Sequence, residues 1–202
     1  MPRYVALFRG INVGKAKRIA MADLRSLLAK LGFTDIQTLL NSGNAVFTAD
    51  EEVPDKLAAR VRAAVAKKLG VDALVIVKSA ADVAGIVSGN TLGKLATDHS
   101  KLLVAMTNDA KALAALKSMA KSEWGAESVH VGKHAGYVWC ANGILESKAA
   151  VALLKNLNET GTTRNWATLI KIHALLAGDG KIPTARDLIV RVDAARRGSV
   201  RR

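Results

Sequence analysis

Residues 36–48 read IQTLLNSGNAVFT, two apolar segments at 36–40 and 45–48 parted by Asn41-Ser42-Gly43-Asn44. That composition is a tight turn between antiparallel strands. Upstream, YVALF at 4–8 is a short apolar run bounded by Arg9 and Gly10, the mark of a buried strand. Between the two, Met21, Leu24, Leu27, Leu28 and Leu31 recur at helical spacing, and Gly32 stands where a left-handed cap ends such a helix. Downstream, acidic residues 50–52 and Pro54 suit a helix start; Leu57, Val61, Val65 and Leu69 form its stripe and Gly70 its end. ALVIVK at 73–78 is a further buried strand. The order is β-α-β-β-α-β, the ferredoxin-like unit.

The pattern then restarts. Ser79 and Asp82 have the spacing of a capping box for a short helix through Val83, Ile86 and Val87, followed by a Gly/Asn/Thr-rich connector from Ser88 to Asp98. Strands are expected at 101–107, 128–132 and 136–141, with a helix on Leu113, Leu116 and Met119 and another on Val151, Leu154 and Leu157. A helix from about Thr163 to Ala177 occupies the place of the last strand, with Thr162 or Thr163 as its cap. The expected class is α+β: two similar ferredoxin-like (βαββαβ-type) halves packed together, plus a C-terminal helix or helices. The halves are expected at 1–90 and 100–178. A basic tail at 179–202 is expected to add charge but little stability, as a last helix capped by Thr184, a frayed end or a non-native remnant.

At 202 residues with 50% apolar positions, the chain can bury a core without staples. Its single cysteine, Cys140, cannot form an internal disulfide and is expected to be a small buried apolar residue, which suits a reducing compartment. No basic-then-apolar leader opens the chain and no run approaches the roughly 20 residues of a membrane span, so a soluble cytoplasmic protein without a membrane partner is expected. The formal charge is +13, concentrated at the two ends: residues 1–30 carry seven basic side chains against one acid. Such a surface attracts polyanions, or simply keeps a protein in solution. Aromatics at 4% weigh against an aromatic platform for single-stranded nucleic acid.

Three stretches can carry chemistry. In residues 9–19, Arg9, Asn12, Lys15, Lys17 and Arg18 surround Gly10 and Gly14, glycines that let backbone N–H groups turn toward an anion. The spacing is not a Walker loop. Ser42-Gly43-Asn44 forms the second, and Asn142-Gly143 with Ser147-Lys148 and Thr162-Thr163-Arg164-Asn165-Trp166 the third. Arg164 is read in the first turn of the final helix, where the macrodipole disfavours a cation, so an anion or a carboxylate such as Glu146 or Glu159 is expected opposite it. Trp166 shares a face with Leu169, Ile170 and His173 and reads as core. His130 and His134 read as surface residues of a hairpin. No metal-ligand spacing, nucleophile elbow or carboxylate pair is visible, and no motif implies a cofactor.

Together YVALFRGINVG, SGNAVF, the NG…SK segment and TTRNW resemble the bacterial domain-of-unknown-function family sixteen-ninety-seven, from about Tyr4 to Leu176. The resemblance implies two ferredoxin-like halves and no mechanism, since the activity of that family is unestablished. Lys15 stands where many members have a second glycine, Ala167 replaces a commoner asparagine, and the tail from Gly178 has no counterpart.

Two functions follow as expectations. One is a binding module for a phosphate-bearing small molecule or nucleic acid, through Arg9, Asn12, Gly14, Lys15, Lys17, Ser42, Gly43, Asn44, Lys148, Thr163, Arg164 and Asn165. The other is a small-molecule enzyme of unknown reaction, with Arg9, Asn12, Ser42, Asn44, Lys148 and Arg164 converging on a polar site between the halves. A lesser one, RNA on a sheet face, rests on GYVWCA at 136–141. On the ligand reading, Arg164→Ala leaves folding intact and abolishes anion binding; a large loss of stability assigns Arg164 to a structural bridge.

Overall fold

The structure is a computed structural model that describes residues 1–14, 17–41, 43–50 and 52–178. The first half runs β1 (Arg3–Phe8), α1 (Met21–Lys30), β2 (Thr34–Leu39), β3 (Asn44–Thr48), α2 (Pro54–Leu69), β4 (Val75–Ser79) and α3 (Ala80–Ser88). The second runs β5 (Leu102–Thr107), α4 (Ala110–Ala115), β6 (Ser128–Val131), β7 (Gly136–Trp139), α5 (Lys148–Leu157), β8 (Gly161–Asn165) and α6 (Trp166–Leu176). Their antiparallel sheets have equivalent orders, β2-β3-β1-β4 and β6-β7-β5-β8. Each half therefore has the ferredoxin-like strand arrangement, and each is followed by one extra helix.

Burial explains the continuous apolar runs. In β1, Val5 and Leu7 face a core shared by the two sheets, while Tyr4, Ala6 and Phe8 face α1 and α2. In β5, Leu102, Val104 and Met106 face the shared core, and Leu103 and Ala105 face α5. A strand buried on both faces cannot alternate in polarity. The helices α3 and α6 supply much of the shared core through Val83, Ile86, Leu169, Ile170 and Ile172. Eight of the eleven residues of α6 are buried, as a helix flanked on several sides requires. Trp166 is 1% exposed and Cys140 fully buried, both as expected.

Four expectations change. Residues 161–165 form β8, paired with β5 from Leu103↔Asn165 to Thr107↔Gly161, so the strand expected to be replaced by a helix is present. The cap of α6 is Asn165, whose Oδ1 accepts from the Thr168 N–H at 2.9 Å, and not Thr162 or Thr163. In α5 the buried face is Ala149, Ala150, Leu153 and Leu157, while Val151 and Leu154 are 63% and 40% exposed. His134 is half-buried, and His130 stacks on Tyr137 with ring centroids 5.7 Å apart. The tail at 179–202 lies outside the described residues, as do Lys15 and Ser42.

Candidate functional site

The sheets meet around Arg164. Because the residue lies in edge strand β8, opposite Val104, its side chain leaves the sheet toward the first half. Nε donates to Asn44 Oδ1 at 2.5 Å, Nη1 to Thr162 Oγ1 and the Thr163 carbonyl at 3.1 and 2.7 Å, and Nη2 to the Phe8 and Gly43 carbonyls at 2.8 and 3.0 Å. These five acceptors are neutral oxygens. Among the described residues no ion pair joins Arg164 to Glu146 or Glu159, so the carboxylate bridge expected at those two residues is not formed. The helix-dipole argument also falls, since Arg164 precedes the cap of α6. Although the residue keeps some exposed surface, dense protein around the guanidinium pushes it down to about 10.

The turn is shaped to receive it. Gly43 has φ +85°, and a Cβ there would lie 2.7 Å from Phe8 Cβ and 2.8 Å from the Ile11 side chain. Its carbonyl also accepts from the Phe8 N–H at 2.9 Å. Asn44 is fully buried, and its Nδ2 donates to the Leu39 carbonyl at 2.8 Å. Asn12, at φ +57°, closes the first loop: Oδ1 accepts from the Ile19 N–H at 2.8 Å, and Nδ2 donates to the Ile19 and Asn41 carbonyls at 2.9 and 2.8 Å. Arg9 crosses to the second half, donating to the Asn158 carbonyl and, at 3.0 Å, to that of Gly161. Thus Arg164 of TTRN bonds to the Gly43-Asn44 turn and to the end of β1, while Arg9 and Asn12 of RGIN are spent on backbone groups of other residues.

Lys148 does not join them. It is the exposed first residue of α5, and the Asn158 carbonyl that receives Arg9 lies past the far end, roughly 15 Å along a ten-residue helix. Thr163 contributes a backbone carbonyl to Arg164 and Asn165 a helix cap. The set expected to converge as an enzyme site is therefore either spent on internal bonds or dispersed, Ser42 aside. The sheet-face reading also loses its ground: Tyr137 and Trp139 belong to the core between the sheets, and Val138 to the core under α5.

Of the open clefts where the halves meet, two are lined by basic side chains. The first, about 360 Å³, is lined by Arg9, Gly10, Lys17, Arg62, Asp72 and Glu159. Arg62 grips Asp72 through two bonds, Nε–Oδ1 at 2.7 Å and Nη2–Oδ2 at 3.0 Å. The hydrogen bond from Arg62 holds the Asp72 carboxyl below the usual range, and the Lys17 charge acts in the same direction. Gly14 and Lys17 are exposed in the same loop with φ of +62° and +50°. The second cleft, about 300 Å³, is lined by Asp55, Lys78, Asp82, Asn108, Lys133 and His134, among others.

Sequence reasoning missed Arg62, Asp72 and the whole second cleft, and expected Glu159 opposite Arg164 rather than in the first cleft. One signal was present for the second cleft: Lys78 ends the apolar run ALVIVK in phase with Ile76, a charge on a core-facing position. Among the described residues there is no group of three or more His, Cys, Asp or Glu that could hold a metal ion, and no helix is long and apolar enough to cross a membrane.

A family model described as protein of unknown function (DUF1697) matches residues 1–137. Among solved structures, the conserved bacterial protein SP0830 from Streptococcus pneumoniae superposes with a TM-score of 0.72 at 24% identity, covering 87% of this chain and 98% of that one. That likeness shows the fold. No curated protein matches the chain.

Proposed function

Since the chain belongs to the DUF1697 family, whose function is unknown, the site itself must carry the reading, and we propose a cytoplasmic binding module for a phosphate-bearing small molecule. The observation that carries it is the first cleft, where Arg9, Lys17 and Arg62 outnumber the carboxylates of Asp72 and Glu159. The carbonyl of Lys17 accepts from the Asn12 N–H, but its ammonium has no hydrogen-bond or ion-pair partner among the described residues and so is available to a ligand. Gly10, at φ +69°, turns the backbone at the cleft wall, and Lys15 belongs to the same loop by sequence. A volume of about 360 Å³ lies in the range of small-molecule sites and is too small to enclose a nucleic acid duplex. The charge of +13 adds long-range attraction for an anion. The cytoplasmic assignment is supported by the one cysteine, buried with its thiol pushed up by burial and so inert.

Titration with inorganic pyrophosphate, followed by calorimetry at low salt, tests the reading. Binding is expected to weaken as salt rises and to fall about tenfold in Lys17→Glu, a loss of about 1.4 kcal/mol, with melting unchanged. Equal binding by wild type and Lys17→Glu overturns the site. Tight binding of a short RNA with no response to pyrophosphate replaces the small-molecule reading by the nucleic acid one.

A further inference from the structure

The second cleft contains a lysine in an unusual position. Lys78 lies two residues after Ile76 in β4, so its side chain leaves the sheet on the face that elsewhere forms the shared core. Lys78 is half-buried, and lysine is among the residues least often taken out of water without a charged partner. Here Nζ donates to the Thr107 carbonyl, across the junction of the halves, at 2.8 Å. Among the described residues no carboxylate lies within ion-pairing distance of it. An ammonium has three protons to place, and among the described residues one is accepted, by the Thr107 carbonyl.

The neighbouring carboxylates are otherwise engaged. Asp82 accepts from the Ser79 N–H at 2.9 Å and from Ser79 Oγ at 2.8 Å, completing the capping box of α3. Asp109 caps α4 through the N–H groups of Lys111 and Ala112, and Asp55 accepts from the Asn108 amide. Burial pushes the Lys78 amine down, with Asp82 and Asp55 only partly opposing it. A lysine in this setting holds more free amine at neutral pH than one on the surface.

We propose that Lys78 is a carbonyl-reactive amine that binds a small oxo acid as an imine, with Lys133 and His134 lining the cleft for the acid's carboxylate. The nitrogen lone pair adds to the carbonyl carbon, and the carbonyl oxygen takes one amine proton to give a carbinolamine. The C–O bond then breaks, and the oxygen leaves as water with the second amine proton as C=N forms. Nothing is oxidised or reduced, and the step reverses on hydrolysis.

The test treats the full chain with glyoxylate and cyanoborohydride at neutral pH, which traps an imine as a stable secondary amine, and maps the labelled peptides by mass spectrometry. Lys78 is expected to be labelled several-fold ahead of exposed Lys148, and this advantage is expected to shrink as the pH approaches 10. Lys78→Arg removes the label while melting is retained. Labelling of Lys78 no faster than Lys148 overturns the proposal. Acetaldehyde, which lacks the carboxylate, is expected to show a smaller advantage for Lys78, and an equal advantage overturns the assignment to oxo acids. Lys17→Glu, which disables the first cleft, is expected to leave the labelling unchanged, so the two sites fail or stand separately.

Discussion

Arg164 and Lys17 are both cations where the two halves meet, yet their surroundings are opposite. Arg164 is held by five neutral oxygens from both halves, whereas Lys17 is exposed on a loop beside an open cleft. A guanidinium presents five donors in a rigid fork and can reach several carbonyls at strand ends at once. An ammonium on a flexible stem suits a ligand that comes and goes. The contrast teaches that the most conspicuous motif residues close the molecule on itself, while ligand capacity belongs to less conspicuous neighbours.

The largest expected effect breaks this contrast if it fails. Arg164→Ala removes the guanidinium that joins Asn44 and the Phe8 and Gly43 carbonyls to β8, and is expected to cost about 2–4 kcal/mol in denaturant unfolding. Arg164→Lys should recover only part, because one ammonium cannot span acceptors in two halves. Wild-type stability together with lost pyrophosphate binding would return Arg164 to the ligand site.

Next comes the turn. Gly43→Ala combines φ +85° with a Cβ 2.7 Å from Phe8 Cβ, and an expected loss of roughly 1–3 kcal/mol follows from backbone strain alone. Unchanged melting would show that the turn relaxes without disturbing the Arg164 contacts.

A smaller effect separates the two clefts. Lys78→Met removes a charge whose burial is unfavourable, and is expected to raise the melting temperature by a few degrees near neutrality. A base with a lowered folded pKa carries that cost fully below the lowered value, and the cost fades as pH rises toward the unfolded value near 10.4. Thermal melts at neutral pH and at pH 10 should therefore show the gain shrinking, and a gain independent of pH would assign it to packing.

The smallest concerns the cleft beside Lys17. Asp72→Asn frees Arg62 from a bidentate partner and is expected to raise pyrophosphate affinity a few-fold, with stability changed by less than about 0.5 kcal/mol because the pair is exposed. Unaltered affinity would remove Arg62 from the binding set.

Much of the fold was legible because the signals are local. The run YVALF, the helical spacing of Leu24, Leu27 and Leu28, the Ser79–Asp82 box and the turn at 41–44 each encode their element within a few residues. The strand at 161–165 was not legible, since GTTRN has no apolar alternation and becomes a strand only by pairing with β5. In α5, Val151 and Leu154 carry a stripe as regular as the buried one, and only the position of the sheet decides which face is covered.

By itself the sequence determined the repeated α+β plan, the buried Trp166 and Cys140, and a basic loop built around Gly10 and Gly14. Those features depend on hydrophobic period, turn chemistry and charge, which are properties of short stretches. Tertiary structure alone decided that Arg164 bonds to Asn44 and to the Phe8 and Gly43 carbonyls, that Arg9 reaches the Asn158 and Gly161 carbonyls of the other half, that Arg62, Asp72 and Glu159 line one cleft with Lys17, and that Lys78 meets Thr107 across the junction. The physical reason is that hydrogen-bond satisfaction and desolvation depend on which groups are brought within about 3 Å, and residues 8, 43 and 164 become neighbours only when two separately encoded sheets are packed together.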